Sequence, residues 1–218
     1  MVHRIIIAED HPLFRTALQS ALRQTLNTPE IAEADSIASL QTVLETETNP
    51  DMILLDLNMP GAHGFSGLLY TVGHYPNVPV LVISAQDEDS IIGKAIHYGA
   101  TGFISKAASL ETIKQAISEV IEGRQWLPEH IDVQAHNQEK SQIEQKIATL
   151  TPQQFRVLGM VSEGLLNKQI AWELNISEAT IKAHITAIFR KLGVRNRTQA
   201  VIALQQLELN PENGNDSA

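Results

Sequence analysis

Apolar and polar positions follow two regimes along the chain. Through the first 122 residues, short apolar runs rich in β-branched side chains recur at 4–8, 31–34, 52–55, 80–84 and 102–104, separated by stretches of helical period. Runs that are apolar throughout, rather than at every second position, predict strands covered on both faces, and helices between them predict a parallel sheet with crossover connections. The clearest helices are 12–24, with Pro12 in the first turn, and 109–122, where Ser109 is placed to cap and Thr112, Ile113, Ala116, Ile117 and Val120 form a stripe. Gly67 and Gly73 weaken the third helical segment. The pattern predicts a five-stranded, doubly wound α/β domain over residues 1–122, with its ligand site at the carboxyl edge of the strands.

From residue 123 the periodicity fades, so 123–147 reads as a linker whose later part, from 141, is helical. Residues 148–209 then read as an all-α domain of four helices. Thr151-Pro152-Gln153-Gln154 supplies an N-cap, a first-turn proline and a capping-box glutamine. Gly164 ends that helix, 167–174 forms the second, Asn175-Ile176 turns the chain, Ser177 caps a third running to Leu192, and 197–207 forms the fourth. The polar tail 210–218 has the composition of a disordered segment.

Charge divides along the same line. Residues 1–122 hold 6 Lys+Arg against 15 Asp+Glu, net −9, while residues 123–218 hold 10 of each. Within the second half, Lys168, Lys182, Arg190, Lys191, Arg195 and Arg197 outnumber Glu173 and Glu178, a local excess of +4 that points to a polyanionic partner. The split raises the expectation that the acidic half shields the basic helix. The absence of cysteine excludes disulfides and thiolate chemistry. No apolar segment approaches the roughly 20 residues that cross a bilayer, so no membrane partner and a cytoplasmic location are expected.

Four strand ends carry chemistry. The first ends in Glu9-Asp10, the third in Asp56, the fourth in Ser84, and Lys106 follows the fifth. A parallel sheet brings these ends to one edge, where three carboxylates repel one another unless a cation is present, and a hard oxygen-seeking ion such as Mg2+ suits them. A phosphohydrolase would also place an aspartate after an apolar strand, but it needs a proton donor two residues on, where this chain has Asn58.

Ala8-Glu9-Asp10-His11-Pro12, Leu54-Leu55-Asp56-Leu57-Asn58-Met59-Pro60-Gly61, Ile83-Ser84-Ala85 and Gly102-Phe103-Ile104-Ser105-Lys106 together resemble the receiver domain of two-component response regulators. The resemblance implies that Asp56 accepts a phosphoryl group from a sensor histidine kinase. It further implies that Asp10, Asp56 and the Asn58 carbonyl hold Mg2+, with Glu9 supporting the ion through water. Lys106 and Ser84 would then meet the phosphoryl oxygens, and Phe103 would rotate as the aromatic switch. No enzymatic turnover beyond slow self-dephosphorylation is implied, with Asn58 and Gln86 near the attacking water. A second expectation, weighed against this one, is a receiver that is structural and never phosphorylated.

Asn167-Lys168-Gln169-Ile170-Ala171, Ile176-Ser177, Thr180-Ile181-Lys182-Ala183-His184 and Lys191-Leu192 resemble the LuxR-type helix-turn-helix of the NarL/FixJ subfamily. The resemblance implies a regulator that binds double-stranded promoter DNA through a recognition helix presenting Lys182, Ala183 and Thr186. Lys168, Ser177, Thr180, His184, Arg190 and Lys191 are candidates for backbone contacts. A phosphorylation-dependent homodimer is the expected coupling, with the apolar side of the last helix (Ala200, Val201, Ala203, Leu204, Leu207) as its interface.

Overall fold

The computed structural model describes residues 2–46, 49–128, 131 and 142–207. The expected tail at 210–218 and most of the linker lie outside these residues. Strands β1 (Arg4–Ala8), β2 (Glu30–Ala34), β3 (Met52–Asp56), β4 (Val80–Ser84) and β5 (Gly102–Ser105) form one parallel sheet in the order β2-β1-β3-β4-β5. Side chains alternate across it, as the two-residue period of a strand requires. Ile5, Ile7 and Leu54 face α1 (Pro12–Thr25) and α5 (Leu110–Ile121), while Ile6, Ile53, Leu55 and Phe103 face α2 (Ile37–Thr46), α3 (Ser66–His74) and α4 (Asp89–His97). Each fully buried Ile or Leu contributes roughly 1.5–3 kcal/mol of transfer free energy, so both sheet faces are strong cores.

The third helix forms despite its glycines because both stand at close approaches. A Cβ on Gly67 would lie 3.1 Å from Ile37 Cδ1, and one on Gly73 would lie 2.6 Å from the Cβ of Ala148. Strand β3 runs one residue further than the apolar pattern indicates, carrying Asp56 into register with Ile83 of β4. The carboxylate therefore stands on paired backbone rather than in a loop.

The second half contains α6 (Gln142–Ala148), α7 (Pro152–Ser162), α8 (Asn167–Glu173), α9 (Glu178–Leu192) and α10 (Arg197–Gln205). Thr151 and Gln154 form the expected capping box, and Ser177 and Asn196 cap α9 and α10. Gly164 at φ +90° ends the α7 segment, and Asn175 at φ +52° makes the turn between α8 and α9.

The two halves share a core. Buried side chains of α2 and α3 continue without a break into Phe155, Val157, Leu158, Ala200, Leu204 and Leu207. The Tyr70 and Phe155 rings stack at 4.6 Å, Gln41 Nε2 donates to the Pro152 carbonyl, and Tyr98 Oη donates to Glu144 of α6. Burial, and secondarily Glu144, hold the Tyr98 phenol well above its ordinary value.

Three expectations change. The apolar side of α10 packs inside its own chain, with the Leu207 carbonyl accepting from Phe65 N–H, so it is not a free dimer face. The acidic half meets α6, α7 and the end of α10 instead of shielding the basic helix; Lys182, Ala183 and Thr186 on α9 are exposed. The start of the linker is fixed: Trp126 bridges the outer edge of β5, accepting from Phe103 N–H and donating to the Thr101 carbonyl.

Candidate functional site

The carboxyl ends of β1, β3 and β5 bring Glu9, Asp56 and Lys106 into contact. Lys106 Nζ donates to Asp56 Oδ2 at 2.9 Å and to Glu9 Oε1 at 2.8 Å. Asp56 is 2% exposed and Glu9 1%, and buried carboxylates of this kind persist as charges only where a cation answers them. Burial favours the neutral amine of Lys106, but the bonds to Asp56 and then Glu9 outweigh it and hold the ammonium above the ordinary lysine value. The Phe14 ring of α1 lies 5.3 Å from Nζ, adding a cation–π contact. Asn58 N–H donates to Asp56 Oδ1 at 3.1 Å, so the turn after β3 fixes the second carboxylate oxygen.

Asp10 stands at the rim beside Glu9. Ligand atoms of Glu9, Asp10, His11 and Asp56 all lie within 4.8 Å of one another, a set able to hold a metal ion. Two buried oxygens in it make no aligned hydrogen bond: Glu9 Oε2, with Lys106 Nζ at 2.8 Å, and Asp10 Oδ1, with His11 Nδ1 at 2.7 Å. Carboxylate oxygens left in this state fit a hard divalent cation. The cluster opens to a cleft of about 460 Å³ lined by His11, Leu13, Phe14, Asn58, Ala85 and Lys106 as well as Asp56. Ser84, fully buried at the end of β4, accepts from Gln86 N–H at 3.1 Å, and Phe103 is buried in β5.

The basic half places its candidates unevenly. Ser177 accepts from Thr180 N–H as the N-cap of α9, and both residues are exposed, as are Lys168 and Arg190. Lys182 pairs with Glu178 one turn earlier at 3.0 Å, and Thr186 Oγ1 donates to the Lys182 carbonyl. His184 is half-buried. Lys191 donates to the Thr149 carbonyl at 2.7 Å. Arg197, counted above with the basic surface, turns inward: its guanidinium donates to the Val161 and Leu165 carbonyls, each at 2.7 Å, tying the last turn of α7 to the loop that follows it.

A sheet edge that gathers carboxylates around a lysine, built onto a helix-turn-helix with an exposed third helix, defines a two-part DNA-binding regulator. Residues 5–118 match the family model of the response regulator receiver domain, and residues 148–204 match that of the bacterial regulatory proteins of the luxR family. The chain belongs to the response regulators, in the NarL/FixJ subfamily with a LuxR-type DNA-binding domain. It is 36% identical to the glycerol metabolism activator of Pseudomonas putida over 95% of this chain and 97% of that one. It is 33% identical to the nitrate/nitrite response regulator protein NarP of Escherichia coli over 93% and 94%. The RcsB response regulator of Salmonella typhimurium shares the fold, with a TM-score of 0.55 at 24% identity over 94% of this chain and 100% of that one.

Sequence reasoning overlooks three participants. His11 joins the acidic cluster, a placement its adjacency to Asp10 signals. Phe14 reaches Lys106 from one turn into α1, and His63 meets Ser162 Oγ across the two halves; neither contact has a motif to announce it.

Proposed function

We propose that this response regulator is switched by phosphorylation of Asp56 by a sensor histidine kinase and that the phosphorylated form acts on double-stranded promoter DNA as a homodimer in the cytoplasm. The observation that carries the phosphoacceptor is the Lys106 ammonium held 2.9 Å from a buried Asp56 whose cleft is open to a donor. An Asp56 oxygen attacks phosphorus, the bond from phosphorus to the donor's imidazole nitrogen breaks, and an acyl phosphate forms. Lys106 moves from neutralising a carboxylate to neutralising phosphoryl oxygens, since positioning and charge compensation are most of what this transfer needs. Glu9, Asp10, Asp56 and the Asn58 carbonyl would hold Mg2+, which when bound supplies further charge compensation for the phosphoryl group.

Ser84 reads the product by donating its hydroxyl to a phosphoryl oxygen, drawing the loop after β4 inward, and Phe103 follows. A charge-assisted hydrogen bond of about 1.5–3 kcal/mol is enough to shift a two-state equilibrium at least tenfold. Asn58 and Gln86 flank the path of water in slow self-dephosphorylation. On the DNA side, residues 148–209 form the binding domain, α9 enters the major groove with Lys182, Ala183 and Thr186 toward the bases, and Ser177, Thr180 and Lys168 take backbone phosphates. His184 and the charges of Arg190 and Lys191 lie at the edge of that footprint.

Incubating the full chain with acetyl phosphate and Mg2+ tests this reading. Intact-mass analysis is expected to show one added phosphoryl group that is absent from Asp56→Asn, with a matching rise in dimer and in affinity for sites selected from random duplex DNA. Phosphorylation that persists in Asp56→Asn would remove the assignment.

A further inference from the structure

We propose that His11 is a direct nitrogen ligand of the cation held at the strand ends, so that this site takes borderline divalent ions such as Mn2+, Co2+ and Zn2+ in preference to Mg2+. The proposal rests on the reading of Glu9, Asp10 and Asp56 as the ion site. Its first support is a distance. His11 Nδ1 lies 2.7 Å from Asp10 Oδ1, yet that oxygen has no hydrogen-bond partner, so the two atoms are in contact without the alignment of an N–H···O bond. The same nitrogen is hydrogen-bonded to Glu9 Oε1 at 3.1 Å, so a bound ion would take the place of the proton between them. Two ligands at right angles on a small ion with bonds of about 2.1 Å stand about 3 Å apart. The nitrogen and both carboxylates are therefore spaced as neighbouring ligands of one ion.

The second support is how the backbone aims the ring. His11 is the N-cap residue of α1, extended at φ −78° and ψ 111°, but its side chain makes no capping bond; the ring is turned back to the carboxylates instead. Its own N–H donates to Glu9 Oε1 at 3.0 Å, and Pro12 begins the helix immediately after, so the chain at this point is pinned on both sides. The third is the grouping itself: the buried Glu9, 1% exposed and reached by Lys106 at both oxygens, lies with Asp10, Asp56 and the His11 ring in one set of ligand atoms all within 4.8 Å of one another. An all-oxygen set suits Mg2+. Adding imidazole favours the later first-row ions.

Pulsed electron paramagnetic resonance of Mn2+ bound to the full chain is the direct test, since it detects a bonded nitrogen whatever the protein's activity. Wild type is expected to show imidazole nitrogen modulation and His11→Gln to lack it. His11→Gln is also expected to raise the Kd for Mn2+ about tenfold while leaving the Kd for Mg2+ within about threefold. The His11 side chain is exposed, so circular dichroism of the variant should match wild type. Bound Mn2+ without a bonded nitrogen, or equal weakening of both ions, would overturn the role of His11 while leaving the acidic site standing. Mn2+ binding that survives Asp10→Asn unchanged would overturn the ion site, and this inference with it.

Discussion

Gly159 of α7 meets Gly61 across the two halves of the chain: a Cβ built on Gly159 would lie 2.7 Å from the Gly61 carbonyl oxygen. Gly61 follows Asp56 by five residues, in the same turn whose Asn58 N–H holds the Asp56 carboxylate. The DNA-binding half thus rests on the loop that leaves Asp56, and His63 of that loop reaches Ser162 at the end of the same helix. Any shift of that turn is felt by α7 directly, through these contacts.

Gly159→Ala should separate the halves. Overpacking against a backbone carbonyl costs about 1–3 kcal/mol, while alanine inside a helix gains up to about 1 kcal/mol, so α7 survives and the contact does not. Calorimetry of the full chain is expected to change from one transition to two, with a larger radius of gyration by small-angle scattering. An unchanged single transition would show that the close approach relaxes without consequence.

Lys106 gives a pH signature. Because its folded value is raised above 10.5, the stability it contributes is fully present below that value and is lost as pH rises through the higher folded one. Metal-free protein should lose denaturant resistance as pH rises beyond 10.5, and Lys106→Met should lose less over the same rise. Tyr70 and Tyr98, both held up chiefly by burial, titrate in the same direction in both proteins, so the difference between the two curves isolates the lysine. Parallel curves would mean the ammonium is not engaged by Asp56 and Glu9.

The strand pattern makes the receiver site legible in the sequence because apolar runs locate strand ends and a parallel sheet brings those ends together; Glu9, Asp56 and Lys106 meet as the spacing requires. What the pattern lacks is the identity of a neighbour. The stripe Ala200, Leu204, Leu207 says that α10 is covered, and a second copy and the first half of the same chain satisfy that equally. Gly73 weakens a helix by propensity, and only the packing of Ala148 against it shows why glycine stands there. Arg197 reads as a surface cation because its partners are carbonyls, which every residue carries.

Arg197→Met tests that inward role. Two charge-assisted bonds, one to the last turn of α7 and one to the loop after it, would be lost, each worth about 1.5–3 kcal/mol, leaving the Val161 and Leu165 carbonyls without that donor. Urea unfolding is expected to show a loss of about 2–4 kcal/mol, whereas DNA binding by the remaining folded protein should keep its salt dependence. A flatter salt dependence with unchanged stability would instead return Arg197 to the DNA surface.

Lys182 carries the opposite expectation. It is exposed on α9, one turn past the capped N-terminus, and its partner Glu178 is an exposed neighbour on the same helix, a pairing worth only about 0.3–0.5 kcal/mol. Lys182→Ala should therefore leave folding stability within about 0.5 kcal/mol of wild type and act on DNA alone. If the ammonium meets a base edge, affinity falls by about 1–3 kcal/mol and preference at one position of the selected site relaxes. If it meets a phosphate, affinity falls uniformly across sequences and the slope of log K against log salt drops by about 1. Binding measured at several salt concentrations on selected and scrambled duplexes separates the two, and unchanged binding to both would remove Lys182 from the interface.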